Sequence, residues 1–289
     1  MSVQTLRFPS LVWKWAPLVS SGVLASLFLF LFYSTLKGMV FDWWSYSPYS
    51  HGFLIPLISG YLLWCRRKDL RECPRRPSLG GLGIFLLGLG FFMLGWSGEE
   101  EFIQRLSLPA TLIGLIYFLA GKQMARLCLF PVGYLLLMIP IPFALYKTAA
   151  LDLRLLDAKL ATASVSFLGI PIFREGYLLH LPEIKLEVAD ACSGFLSIVT
   201  MLAIGILYLY QLQTKWKSLL WVSMIPIAVL TNVVRIVLIV VLTYFFGEWA
   251  LSSTFHRMSG TFNFLLGFMT LVILGNGLNR ISLRKEIRR

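Results

Sequence analysis

The chain has 289 residues, 57% of them apolar and only 14% charged, with a mean hydropathy of +0.76. Soluble globular domains sit nearer half apolar and a quarter charged, and apolar runs near the ~20 residues needed to cross a bilayer recur along the chain, which excludes a water-soluble module and a membrane β-barrel alike. The net charge of +12 falls in short loops and tails between those runs, a topology signal and not a nucleic-acid surface.

The resulting expectation is an all-α polytopic membrane protein: a single domain over residues 1–289, with a core at about 40–279 and a basic cytoplasmic tail at 280–289. About eight transmembrane helices are predicted, at 17–36, 48–65, 81–97, 106–121, 125–140, 194–211, 218–246 and 261–279. The first is too long for a cleavable signal peptide and lacks a small-residue cleavage site, so it reads as a retained helix. The loop "CRRKDLRECPRRP" carries six bases and belongs in the cytoplasm under the positive-inside rule. "SGEEEF" is acidic and external, whereas "GKQMAR", "QLQTKWK" and "NRISLRKEIRR" return inside. This arrangement puts both termini in the cytoplasm.

Two features precede the sixth span. "LDLRLLDAKLATASVSFLGI" is amphipathic in its first half, where Asp152, Arg154, Asp157 and Lys159 interrupt the apolar face; this predicts a helix on or partly in the outer interface. "GYLLHLPEIKLEV" alternates at Tyr177, Leu179 and Leu181, then at Ile184, Leu186 and Val188 beyond Pro182-Glu183. That pattern predicts a short extracytoplasmic β-hairpin.

Of four cysteines, Cys65, Cys73 and Cys128 fall in or near the cytoplasmic side, and Cys192 alone is external. With no external partner it cannot belong to a disulfide framework, and the spacing of Cys65 and Cys73 matches no common zinc site. Cys192 is either a small packing residue or a nucleophile. As a predicted N-cap, Asp190 would place Cys192 in a first helical turn, where the helix dipole stabilises thiolate. Asp190 itself opposes that charge, so a cation is required nearby. Ser193 and Gly194 leave room for a substrate backbone.

In the seventh span Arg235 interrupts an apolar helix. An arginine near mid-span costs ~2.5–3.5 kcal/mol on insertion scales and defaults to lining a polar cavity. If the helix runs to Phe246, Arg235 lies ~16 Å below its end, beyond the reach of snorkelling; if it ends near Val241, the guanidinium reaches headgroups. An ion pair with Asp190 or Glu248 is the structural alternative. Asn232 and Thr231 share its helical face. The predicted external loop "EWALSSTFHRMSGTFNF" then supplies His256, followed by Arg257, Ser259, Gly260 and Asn263. His51, His180 and His256 all fall on the outer side with Cys192, and a thiol with an imidazole is the minimum for nucleophilic acyl transfer. His51 is a competing base or substrate contact, or an interfacial histidine in an aromatic belt of Trp43, Trp44, Tyr46 and Tyr49. His180 decorates the hairpin.

"ACSG" opening a helix, "NVVR" within a later one, "FHRMSG" before the last, and "YSHGFLIPLISGYLLW" near the second span together resemble the exosortase family, relatives of the archaeosortases, over residues 40–279. The resemblance implies a cysteine transpeptidase of the bacterial inner membrane. Its clients would be membrane-anchored proteins with a C-terminal sorting signal of PEP-CTERM type: a short Pro-Glu-Pro-like motif, one helix and a basic tail. It further implies Cys192 as acyl-thioester nucleophile, Arg235 as proton donor and His256 as transition-state stabiliser. Because arginine is effectively always protonated, Arg235 is better cast as a stabiliser of thiolate or oxyanion, with His256 as the general acid and base. His51, Asn232, Ser193 and Arg257 are the expected substrate contacts. The expected partners are the sorting-signal segments, the bilayer and an unknown acyl acceptor, with no cofactor, metal or nucleic acid. A transporter or channel whose polar path is lined by Arg235 and Asn232 is the alternative from another class.

Overall fold

The computed structural model describes residues 22–188, 194–212 and 214–287; the side chains of a few helical residues, Glu248, His256 and Arg257 among them, are not part of that description. Among the described residues, four helices are long and apolar enough to cross a membrane: Leu79–Ser97, Glu101–Ala120, Lys217–Phe246 and the stretch Met258–Ile281. Two bent helix pairs, Gly22–Leu31 with Tyr33–Ser45 and Lys122–Met138 with Phe143–Phe167, raise the number to six if each is one span. By length and composition the described residues thus supply four to six candidate spans, where about eight were expected. The stretch at 48–65 divides into a 3-10 segment, Ser47–Phe53, and a 12-residue helix. That at 194–211 forms a helix of only 17 residues. The chain is a multi-pass membrane protein, made of two compact units, Met1–Pro140 and Ile141–Arg289.

The first unit contains α1 (Gly22–Leu31), α2 (Tyr33–Ser45), α3 (Leu54–Cys65), α4 (Arg67–Glu72), α5 (Leu79–Ser97), α6 (Glu101–Ala120) and α7 (Lys122–Tyr134). Its tightest contact follows from a heptad of glycines on α5. Cβ atoms at Gly81, Gly88 and Gly95 would stand 2.1 Å from Phe118 N, 2.5 Å from Thr111 Oγ1 and 2.5 Å from Gln104 N. Without side chains there, the α5 and α6 backbones touch, the usual means of helix association in lipid. α6 starts five residues earlier than predicted because Glu101 joins it and pairs with Arg105, which also holds Asp42 of α2 at 2.7 Å. Trp43 is not in an interfacial belt. It is buried, donates Nε1–H to Met138 O at 2.9 Å, and lies so close to Gly52 that a Cβ there would meet its ring. Trp44 and Tyr46 remain exposed.

The second unit contains α8 (Phe143–Phe167), strands β1 (Phe173–Glu175), β2 (Leu178–His180) and β3 (Lys185–Glu187), then α9 (Phe195–Gln211), α10 (Lys217–Phe246) and α11 (Ser253–Ile287). The strands form one antiparallel sheet in the order β1-β2-β3, with Leu179 opposite both Arg174 and Leu186. β1 adds a strand to the two predicted; Gly176, at φ +61°, turns the chain between β1 and β2. Leu179, Leu181, Leu186 and Val188 enter a shared core with Ala158, Ala161 and Val165 of α8 and Ile236 and Val240 of α10. Small side chains on α8 thereby bring the sheet and α10 against it.

α8 buries Ala150, Arg154, Asp157, Ala158, Ala161 and Val165, a single helical face. Asp152 and Lys159 are exposed. Of the four charges, Arg154 and Asp157 therefore point inward, where Val188, Glu187 and Asn232 supply their hydrogen-bond partners.

Candidate active site

α10 runs unbroken to Phe246, so Arg235 lies ~16 Å from its end at 1.5 Å per residue. It is 7% exposed and donates from Nε to Ser259 Oγ at 3.0 Å. Snorkelling to headgroups is therefore ruled out, and the guanidinium is used inside the fold. Asn232, one turn earlier on the same face, is fully buried and donates from Nδ2 to Asp157 Oδ2 of α8 at 2.7 Å. Thr231 is buried beside it and turns its hydroxyl to Ala228 O.

The start of α9 meets this pair. Gly194 occupies the position that caps α9 and has φ +70°, a left-handed conformation that glycine adopts without steric cost. A Cβ there would stand 2.9 Å from Asp157 Oδ2 and 3.2 Å from Asn232 Nδ2. The capping position therefore belongs to Gly194 and not to Asp190. Asp190, Cys192 and Ser193 lie outside the described residues.

α11 completes the cluster. The segment "FHRMSG" is helical, not a loop, because Ser252 Oγ accepts the Phe255 N–H at 3.4 Å and starts the helix there. One turn after His256, Ser259 holds Arg235, and a Cβ at Gly260 would rest 3.6 Å from Arg235 Nη2. Asn263, one further turn along and buried, donates Nδ2–H to Ser197 Oγ of α9 at 3.0 Å. His256 and Arg257 lie in α11, but their side chains are outside the described set.

On the other side, Arg154 of α8 closes off the end of the sheet. Its Nε donates to Val188 O at 2.7 Å, its Nη2 to Glu187 Oε1 at 2.9 Å, and its guanidinium stacks 3.8 Å from the centre of the Tyr177 ring.

The structure thus brings together Asn232, Arg235, Gly194, Ser197, Ser259, Gly260 and Asn263, residues of all three motif-bearing segments in the second unit. His51 belongs to the first unit, in the 3-10 segment that ends at Phe53. His180 sits in β2, 3.4 Å from Glu175 Oε2. Sequence reasoning assigned no site role to Arg154, Asp157 or Ser197. The signal at hand was weak: Arg154 and Asp157 are three apart and share a helical face, but periodicity does not say whether that face looks in or out.

The fold and this cluster define a polytopic membrane protein with a buried polar site carried on its later helices. A family model described as transmembrane exosortase matches residues 43–273. The chain belongs to the transmembrane exosortase family, membrane-embedded transpeptidases that process proteins bearing sorting signals. Neither a curated protein nor a solved structure matches it.

Proposed function

We propose that the protein is a cysteine endopeptidase and transpeptidase of the bacterial inner membrane that cleaves the PEP-CTERM-type sorting signal of exported, membrane-anchored clients. The observation that carries this reading is the meeting of three motif-bearing segments: Gly194 packs on Asn232, and Ser259 and Gly260 pack on Arg235. Cys192 precedes Gly194 by two residues, so covalent geometry keeps their Cα atoms within about 7 Å. His256 is one helical turn before Ser259.

In this mechanism the Cys192 thiol gives its proton to the His256 imidazole, and the thiolate sulfur attacks the scissile carbonyl carbon. The carbonyl oxygen takes up the negative charge beside Arg235, whose fixed positive charge counts for most in a site shielded from water. Collapse breaks the C–N bond, and imidazolium protonates the departing amine, which leaves with the helix and basic tail of the signal. The acyl group remains on sulfur as a thioester. An acceptor nucleophile, or water, then attacks that carbon and gives its proton to His256, which regenerates the thiol. Asn232, Ser193 and Arg257 are the proposed substrate contacts, and the active face opens to the periplasm.

The test is co-expression of a candidate client with the wild type or with Cys192→Ala. Trimming of the client C-terminus and a thioester-linked adduct are expected with the wild type only. Full trimming by Cys192→Ala overturns the reading, and a transporter or channel then becomes the better account.

A further inference from the structure

We propose that Arg154 and Asp157 are positioning residues that clamp the two ends of the segment bearing Cys192. The proposal rests on the reading of Cys192 as nucleophile. Residues 189–193 are bounded by Val188 on one side and Gly194 on the other. Arg154 holds the first boundary through the bond from its Nε to Val188 O and the ion pair with Glu187. Asp157 holds the second, since its Oδ2 lies where a Cβ of Gly194 would collide and also accepts the Asn232 amide. The two anchors are three residues apart on one face of α8, so a single rigid element sets both ends of a five-residue stretch.

The chemistry of Asp157 is unusual for a purely architectural residue. It is 0% exposed, among alanines and valines that could have packed without it. Only one of its oxygens is satisfied: Oδ1 is buried with no hydrogen-bond partner among the described residues. Buried carboxylates that serve packing alone are normally satisfied at both oxygens. An unfilled acceptor on the carboxylate that packs against Gly194 suits a group that orders the adjoining chain or the substrate laid against it. Through Asn232, one turn before Arg235, the same carboxylate ties the position of the segment to the helix that carries the guanidinium.

The experiment compares Asp157→Ala, Asp157→Asn, Arg154→Ala and the double alanine variant in membranes, with a client peptide as substrate and Cys192→Ala as blank. A misplacement of about 1 Å costs on the order of 10²-fold in rate, so each alanine variant is expected to lose about that factor in kcat with KM within roughly twofold. Asp157→Asn keeps shape and pairing with Asn232, and is expected to retain activity within about tenfold of wild type. The double variant is expected to lose less than the product of the single losses, because a segment freed at one end has less left to lose at the other. Asp152→Ala, on the exposed face of α8, is the control and leaves kcat unchanged. Wild-type kcat in Asp157→Ala and Arg154→Ala overturns the clamp, as does a change confined to KM. If the alanine variants fail to accumulate, Asp157→Asn and Arg154→Lys decide: normal abundance with kcat restored by the conservative change supports positioning, and lowered abundance with normal kcat overturns it. Turnover by the Cys192→Ala blank instead removes the reading beneath.

Discussion

Replacing Gly194 with alanine perturbs the junction on which the site geometry depends. Two costs follow from the structure. The first is conformational: φ +70° is a left-handed backbone that costs an L-residue roughly 1–2 kcal/mol. The second is steric, since the new Cβ would stand 2.9 Å from Asp157 Oδ2 and 3.2 Å from Asn232 Nδ2. Either the turn or the Asp157–Asn232 bond must yield, and a buried polar pair left unmade costs about 1–3 kcal/mol. Together these come to about 2–5 kcal/mol, a sizeable part of the 5–15 kcal/mol typical of a folded domain. The variant is thus expected to reach the membrane, melt at a lower temperature, and lose on the order of 10²-fold in trimming rate through displacement of the adjoining segment. Client trimming in intact cells and thermal unfolding of the purified protein in detergent are the assays. A Gly194→Ala protein with wild-type rate and melting temperature would show that the Asp157–Asn232 pair does not press on this turn.

The remaining predictions concern the rest of the site and the first unit. Arg235→Lys is expected to keep part of the activity, because it preserves the charge but not the planar donor fork, whereas Arg235→Leu abolishes it; equal activity of the two in a client-trimming assay would exclude an electrostatic role. Ser259→Ala removes the acceptor for Arg235 Nε and is expected to slow turnover about 10- to 100-fold, as fits the ~1.5–3 kcal/mol of a hydrogen bond to a charged group; an unchanged kcat argues against Ser259 orienting the guanidinium. Gly88→Val on α5 drives a side chain into Thr111 and the α6 backbone, so loss of folded protein in the membrane is expected, measured by abundance and protease resistance. Gly90→Val, with open space beside it, is expected to accumulate normally.

Much of the second unit was legible before any coordinates. Alternation put Leu179 with Leu181, and Leu186 with Val188, on one face, and in the structure these four are buried, because a half-buried strand shows its buried face every second residue. The helical spacing of Asn232 and Arg235 placed them on one face, and the uninterrupted apolar run at 218–246 matched α10 almost to the residue. β1 was not legible: three residues, Phe173–Glu175, are too few to show alternation. The helical start of α11 was hidden by its serines and histidine, which read as loop until the Ser252 cap is seen. Changes of helix type within apolar runs, as from Ser47–Phe53 to α3, were equally silent, since hydropathy measures whether a segment suits lipid and not how its helix is wound.

α8 exposes a deeper limit. A soluble amphipathic helix turns its leucines in and its charges out, and its face can be assigned from polarity alone. Here Leu145, Leu151 and Leu156 are exposed together with Lys147, Asp152 and Lys159, whereas Arg154 and Asp157 are buried. The outer surface mixes long apolar and charged side chains, as suits a boundary between lipid and water. The inner charges follow a different rule: a buried guanidinium or carboxylate calls for partners from the fold, and Val188 and Glu187 supply them to Arg154, Asn232 to one oxygen of Asp157. One helix therefore carries two populations of charge that composition cannot separate. The outer set adapts α8 to its surroundings and tolerates exchange. The inner set packs against the chain on either side of residues 189–193, Arg154 at Val188 and Asp157 at Gly194.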